Sequence, residues 1–270
     1  MKSVRHHLSL PSELDIQKIT TNGLKYLSKG ICVKYYESKR NYNTAADIPE
    51  IIEIKPADIN WRSTFSGYQF PTRDDIAHSE QSPYDGPVVG VIGGPWDRYK
   101  QEWEDSVGYQ SLMARFLYGE PWDQTEYYEN ELEAGAKCRD EVEDTFQHIE
   151  KLYDSMRQDG YISQSELLSS TSHSDESPGT AFWISIHGEA YPNESRVGIG
   201  RTGEIIRFEE GWHRISIAKI LGLGSFPVIV VARHKKWQKI REKFCEYRSI
   251  SDVPGKYRQY LGHPDLPNVE

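Results

Sequence analysis

The stretch over residues 196–232 reads RVGIGRTGEIIRFEEGWHRISIAKILGLGSFPVIVVA and carries three local patterns in succession. Two short apolar runs flank GRTG, which predicts a β-hairpin with its turn at Thr202-Gly203. Apolar residues then recur at intervals of three and four and predict a helix over residues 213–221. The run PVIVVA predicts a strand over residues 227–232, where a proline is tolerated at the first position. This order indicates a compact β-rich unit.

The rest of the chain supplies further strands and most of the helices. Apolar runs and helical periodicity predict strands at 51–54, 88–92 and 182–186, and helices at 13–30, 101–118, 131–158 and 235–247. Residues 60–87 and 169–179 are rich in turn-forming residues and are expected to be loops. The expected fold class is α+β.

Charge and cysteine usage narrow the function classes. The sequence has 32 Lys and Arg against 41 Asp and Glu, a formal net charge of -9, and nucleic acid repels such a surface unless a basic patch compensates. The densest basic stretch, RHKKWQKIREK at 233–243, is interpreted as the solvated face of a helix. Three scattered cysteines, no apolar leader and no apolar run of membrane length give the cytoplasm as the expected location.

A glycine followed by two basic side chains stands where the short helix of the opening stretch begins. Gly211 has no Cβ and allows close approach of the backbone to a ligand. The amides of the first helical turn are unpaired and lie at the positive end of the helix dipole. Arg214 adds a planar fork that matches phosphate oxygens, and His213 adds a further donor. The pattern predicts an anion site, with phosphate as the obvious anion.

Two boxes in a fixed order resemble the ParB/sulfiredoxin-like superfamily. The first is LYDSM at 152–156, running into Gly160, which is similar to the family pattern eLxxSIxxxG. The second is EGWHR at 210–214, continuing to Ala218 and LG at 221–222, which is similar to dGxHRxxAxxxLG. A strand of the form iPv follows both in the family, as PVIVV does here.

The resemblance covers roughly residues 149–233 and implies both a fold and a ligand. The implied fold is a small mixed sheet with flanking helices in a domain over 51–247, interrupted by a helical insertion at 98–148. Residues 1–50 then form a peripheral segment and residues 248–270 a C-terminal tail. The implied ligand is a nucleoside di- or triphosphate (ATP, ADP or CTP), with or without Mg²⁺.

The resemblance also assigns roles to individual residues. Gly211, His213 and Arg214 would contact phosphate. Three residues after the first box would lie near the same pocket; they are Gly160, Ser163 and Gln164. Arg233 and His234 follow the strand PVIVVA, and the carboxyl ends of strands often face a site, so the pair is expected to extend the anion pocket.

Trp212 is a departure from the family that bears on catalysis. Sulfiredoxins have cysteine and ParB-type proteins have glutamate at this position, so sulfiredoxin chemistry has no nucleophile here. Glu209 and Glu210 precede the glycine and are candidates for a general base or for Mg²⁺ ligands, although exposed loop carboxylates explain them equally well. No other metal ligands are predicted.

Three functions stay open on this evidence. The first is a nucleotide-dependent enzyme, a phosphotransferase or nucleotidase, built on the box at 211–214. The second is a non-catalytic nucleotide sensor that docks a protein partner through the aromatic-rich helices of residues 98–157. The third and weakest is a ParB-like nuclease that uses the basic stretch 233–243, which the negative net charge disfavours.

Overall fold

The computed structural model describes residue 42 and residues 50–64, 90–135, 138–163, 166, 183–184, 190–191, 194–208 and 211–270. The strands of this part are β1 (Glu50–Ile54), β2 (Trp61–Ser63), β3 (Gly90–Ile92), β4 (Lys100–Glu102), β5 (Trp183–Ile184), β6 (Ala190–Tyr191), β7 (Ser195–Ile199), β8 (Ile205–Arg207) and β9 (Phe226–His234). The helices are α1 (Val107–Tyr118), α2 (Glu126–Glu133), α3 (Arg139–Asp159), α4 (Trp212–Ile220) and α5 (Lys235–Phe244). Mixed strands and helices of this kind confirm the α+β class.

The main sheet is mixed and is built around β9. Its strands follow the order β1-β9-β7-β8-β2-β4, and β3 also pairs with β9. β9 runs parallel to β7 and β3 and antiparallel to β1. All nine residues of β9 are buried, which fits a central strand covered on both faces.

The hairpin, helix and strand predicted from the opening stretch are all confirmed. β7 and β8 pair antiparallel, and Gly203 has a φ of +91° in the turn, a conformation that glycine adopts without strain. α4 ends as predicted, because Gly222, with a φ of +64°, follows its last turn. The strand prediction at 51–54 is also confirmed by β1.

Two apolar clusters lie on opposite faces of the sheet. The larger joins Val197 and Val228 of the sheet to buried residues of α1, α3 and α4. The smaller lies on the other face around Trp96, Phe208 and Val231. The helices of the insertion therefore pack on the same face of the sheet as α4, which brings them beside the predicted anion site.

The helical insertion differs in detail from the sequence prediction. Residues 100–102 form β4 and pair with β2, although 101 and 102 were predicted as the start of a helix and β2 lies in a segment predicted as loop. The helix starts only at residue 107, where the Ser106 side chain accepts from the amide of Tyr109. The helix predicted over 131–158 is two helices, α2 and α3, with Gly135 in a left-handed conformation between them.

The C-terminal segment is an integral part of the core and not the irregular tail that the sequence suggested. Residues 250–252 and 255–260 form short 3₁₀ helices. Val253, Asp265 and Leu266 are buried. The low hydropathy of this segment did not predict its burial, because its residues contact partners that lie far away in the sequence.

The predicted helix at 13–30 and the predicted loop at 169–179 lie outside the described residues. Among the helices that the structure does describe, none has both the length and the apolar character needed to cross a membrane.

Candidate functional site

Gly211 forms the turn into α4 at the amino ends of β7 and β9. Its φ of +78° is in the left-handed region, and a Cβ built on it would lie 2.2 Å from Ser195 Oγ. The Ser195 hydroxyl donates to the carbonyl oxygen of Gly211 at 3.2 Å. Two features therefore require glycine at this position, namely its left-handed backbone conformation and the close approach of β7.

The amino end of α4 has no side-chain cap. Most helices receive a hydrogen bond from a Ser, Thr, Asp or Asn side chain at this point, whereas Gly211 offers none. Gly211, the residue before the first turn, thus contributes no side-chain hydrogen bond to the amides that begin α4. These donors and the dipole behind them attract an anion.

Arg214, in the first turn of α4, is held on one side by a buried carboxylate. Its Nη1 donates to the Tyr161 hydroxyl at 3.3 Å and lies 3.8 Å from Glu194 Oε2. The Tyr161 hydroxyl donates a short hydrogen bond to the same oxygen of Glu194. Burial raises the pKa of Tyr161 and outweighs the opposing charge of Arg214, so the phenol stays protonated and bridges the two charged groups.

The Arg214 guanidinium has a second edge, formed by Nε and Nη2. No hydrogen-bond partner of its Nε or Nη2 lies in the described part of the chain. The Arg214 side chain is 15% exposed, whereas that of Glu194 is 1% exposed. One edge of the fork is thus fixed by protein and the other is available to a ligand.

His213 faces the insertion and not the Glu194 side. Its Nε2 lies 3.2 Å from the Tyr127 hydroxyl on α2, and its ring lines a cleft beside α3. Burial raises the pKa of Tyr127, so its hydroxyl keeps its proton. The structure therefore places His213 and Arg214 at the amino end of one helix but directs their side chains toward different neighbours.

Trp212 is an anchor between α4 and the insertion. Its ring packs edge-on against Tyr127, with ring centroids 5.2 Å apart. A Cβ on Gly108, at the start of α1, would lie 2.6 Å from the Trp212 ring. The side chain that replaces the family's cysteine or glutamate is thus committed to packing.

The residues predicted after the first box are engaged in ending and starting helices. Gly160 ends α3, and a Cβ on it would meet nothing within 4 Å. The Ser163 hydroxyl donates to Glu166 Oε2 at 2.7 Å and accepts from the Glu166 amide at 3.2 Å, which is a capping pair. The three atoms nearest to a Cβ built on Gly211 belong to Ser195 and to neither of these residues. Gln164, Glu209 and Glu210 lie outside the described residues.

Arg233 and His234 lie at the opposite end of the parallel pair β7/β9, which corrects their expected place in the anion pocket. Ser195, which touches Gly211, pairs with Val228, whereas Ile199 pairs with Arg233. Four residues of strand separate these positions, a distance of roughly 13 Å at about 3.3 Å per residue. The two predicted halves of the pocket therefore cannot bind one phosphate.

The hydrogen-bonding groups of Arg233 and His234 are also used within the protein. Arg233 Nε donates to both carboxylate oxygens of Asp265 at 3.0 Å, and its Nη2 pairs with Glu50. His234 Nδ1 accepts from the amide of Lys236 at 3.1 Å and so caps α5. Arg241, also in the basic stretch, donates to the carbonyl oxygen of Asp265. The stretch is thus partly internal, contrary to its interpretation as a solvated face.

Sequence reasoning missed Tyr161, Ser195 and Glu194. The tyrosine and the glutamate lie 33 positions apart, and the glutamate precedes a strand without any motif around it. No local pattern marks such a pair. The one available signal is the directly adjacent polar pair Glu194-Ser195 at the start of a buried strand.

Neither metal-ligand geometry nor similarity to known proteins assigns a function to the site. In the part of the chain that the structure describes, no cluster of three or more His, Cys, Asp or Glu side chains is placed to hold a metal ion. No protein-family model matches the chain, and neither curated proteins nor solved structures give a match.

Proposed function

We propose that this protein is a nucleotide-binding member of the ParB/sulfiredoxin-like type that holds phosphate at the amino end of α4. The observation that carries the proposal is the guanidinium of Arg214, one edge of which has no partner among the described residues, beside a helix start where Gly211 gives no side-chain cap. Backbone donors and a fixed arginine thus belong to the same helical turn, and both are groups that recognise phosphate. The order of the two sequence boxes supports a nucleotide as the source of that phosphate.

The Tyr161–Glu194 pair supports the same site by fixing the arginine. A flexible arginine loses side-chain entropy when it binds, and prior immobilisation lowers that cost. The buried carboxylate also partly offsets the arginine charge, so the attraction for an anion is set by the open edge of the guanidinium and by the α4 amides. The site favours a ligand that uses both.

Binding without catalysis is the form of this proposal that the packing of Trp212 favours. The position of the family's reactive side chain is filled by a ring locked between Gly108 and Tyr127. A phosphotransferase or nucleotidase would have to draw its base or Mg²⁺ ligands from Glu209 and Glu210. A cytoplasmic nucleotide sensor with a protein partner on the helices of residues 98–157 needs no such group.

Isothermal titration of the full chain with ATP, ADP and CTP, with and without Mg²⁺, tests the proposal. We expect binding of at least one nucleotide, weakened about ten- to a hundredfold by Arg214→Ala, which removes a charge-assisted contact. Arg157→Ala is the matched control, because Arg157 is 65% exposed on the surface of α3, where it contacts Asp154 and the ring of Tyr153. Absence of binding by the unaltered protein to all three nucleotides refutes the proposal.

The question of catalysis has its own experiment. Nucleotide bound to the protein is incubated with Mg²⁺ and the products are separated by chromatography. The sensor form predicts unchanged nucleotide. Turnover that is abolished by Glu210→Gln would contradict the sensor form and support the enzyme.

A further inference from the structure

A cleft of about 550 Å³ lies beside the proposed phosphate site, between α3 and the amino end of α4. It is lined by one face of α3 and, from the box itself, by His213. The volume is in the range of pockets that hold a small organic ligand. Because His213 is adjacent to the α4 amides in sequence and lines this cleft, a ligand with its phosphate on those amides would lie next to the cleft.

The walls of the cleft suit the neutral part of a nucleotide. Leu152, which is partly buried, contributes an apolar surface on which a flat ring can pack, with the buried Ile149 beneath it. The carboxylates of Glu141 and Asp144, one turn apart on α3, also line the cleft. They would repel a phosphate and would accept hydrogen bonds from hydroxyl or amine groups.

His148 completes the acceptor character. Its Nδ1 lies 2.6 Å from the backbone carbonyl oxygen of Asp144, so the neutral ring carries its proton on Nδ1 and presents Nε2 as an acceptor. Three acceptor groups along one helix face then meet an apolar surface. A nucleoside has the complementary groups, with ribose hydroxyls and, in adenine and cytosine, an exocyclic amine as donors.

We infer that this cleft binds the nucleoside moiety of the nucleotide, with Asp144 and His148 accepting hydrogen bonds from its hydroxyl or amine donors. The inference rests on the proposed phosphate site at α4 and adds the substrate class and the residues that would select it. The helical insertion thereby supplies the residues that recognise the nucleoside, and the start of α4 supplies those that bind the phosphate.

Titrations of the full chain with pyrophosphate, ATP and CTP separate the two parts of the site. We expect ATP or CTP to bind at least tenfold more tightly than pyrophosphate. Asp144→Ala should weaken nucleotide binding about tenfold and change pyrophosphate binding less than twofold, because the carboxylate contacts only the nucleoside. Asp144→Asn keeps one acceptor oxygen and should restore part of the lost affinity. Asp154→Ala, on an exposed position of the same helix, is the control.

The outcomes distinguish the inference from the proposed function. Equal affinity for pyrophosphate and nucleotide, or an unchanged nucleotide affinity in Asp144→Ala, overturns the inference and leaves the phosphate site standing. Equal losses for both ligands in Asp144→Ala also overturn it, because the effect would then act through the phosphate site. Failure of every ligand to bind the unaltered protein refutes both.

Discussion

The two ends of the parallel pair β7/β9 hold arginines in opposite circumstances. At the amino end, Arg214 has one long ion pair to Glu194 at 3.8 Å, and its Nε and Nη2 have no partner among the described residues. At the carboxyl end, the Arg233 side chain is fully buried, with Asp265 and Glu50 as partners. The first environment leaves a cation able to take a ligand, and the second uses the cation to hold the C-terminal segment in place.

The difference shows that a basic side chain near a strand end is not by itself evidence of an anion site. In the sequence, both arginines are basic residues next to an apolar stretch: Arg214 stands at the start of α4 and Arg233 stands near the end of β9. What separates them is the number of carboxylate oxygens within reach and the exposure that remains. A ligand-binding arginine needs an unsatisfied edge, which Arg233 does not offer to solvent.

The largest expected effect is the loss of stability when the buried pair is broken. Arg233→Met leaves Asp265 charged and buried, and we expect a loss of about 3–5 kcal/mol in the free energy of unfolding. Arg214→Met should cost about 1–2 kcal/mol, because Tyr161 still donates to Glu194. Urea denaturation of both variants measures the contrast. Equal losses would remove the distinction between the two ends.

The next effect concerns the glycine at the site. Gly211→Ala should cost about 2–4 kcal/mol, since a left-handed φ is unfavourable for alanine and the new Cβ meets Ser195. Gly222→Ala is the matched control, because it has a φ of +64° but nothing within 4 Å of the added Cβ, and it should cost only about 1 kcal/mol. The double variant Gly211→Ala, Ser195→Gly should recover part of the loss. Equal costs for the two single variants would exclude the close approach as a cause.

The smallest effect is a pH dependence at the carboxyl end. Burial lowers the pKa of His263, whose Nε2 lies 2.8 Å from the carbonyl oxygen of Gly203 and whose Nδ1 accepts from the Asp265 amide. Because the folded pKa lies below the unfolded value of about 6.5, the unfolded chain takes up the proton first. The stability is then complete above about pH 6.5 and falls as the pH drops below it.

Denaturation at pH 7.5 and at pH 5 measures this dependence. The decrease in stability between the two values should be about 1 kcal/mol smaller in His263→Gln than in the unaltered protein. His148→Gln, at an exposed position of α3, is the control substitution. A decrease of the same size in His263→Gln would exclude this histidine as its source.

Local signals predicted the parts of the fold that local geometry determines. The turn at Thr202-Gly203, the end of α4 at Gly222 and the apolar stripe of α3 all follow from residues close in sequence, and each is confirmed. The start of α1 was wrong because residues 100–102 pair with β2, a contact across almost forty positions. A helical pattern of apolar residues contains no information about a distant strand that offers backbone hydrogen bonds.

The same limit applies to the candidate site. Gly211, His213 and Arg214 were predicted from one contiguous box, and the structure places them together at the start of α4. The direction of the His213 side chain and the roles of Tyr161 and Glu194 depend on how the insertion and β7 pack around that helix. Arg233 was misplaced for a related reason, since Asp265, 32 positions away, is its principal partner.

The central claim, that phosphate binds at the amino end of α4, is tested most directly by a crystal structure with bound ATP or CTP. The account predicts phosphate oxygens within hydrogen-bond distance of the amides of residues 212–214 and of Nε or Nη2 of Arg214, with Arg233 still paired to Asp265. A nucleotide whose phosphate lies elsewhere, with the open edge of Arg214 facing only solvent, would contradict it.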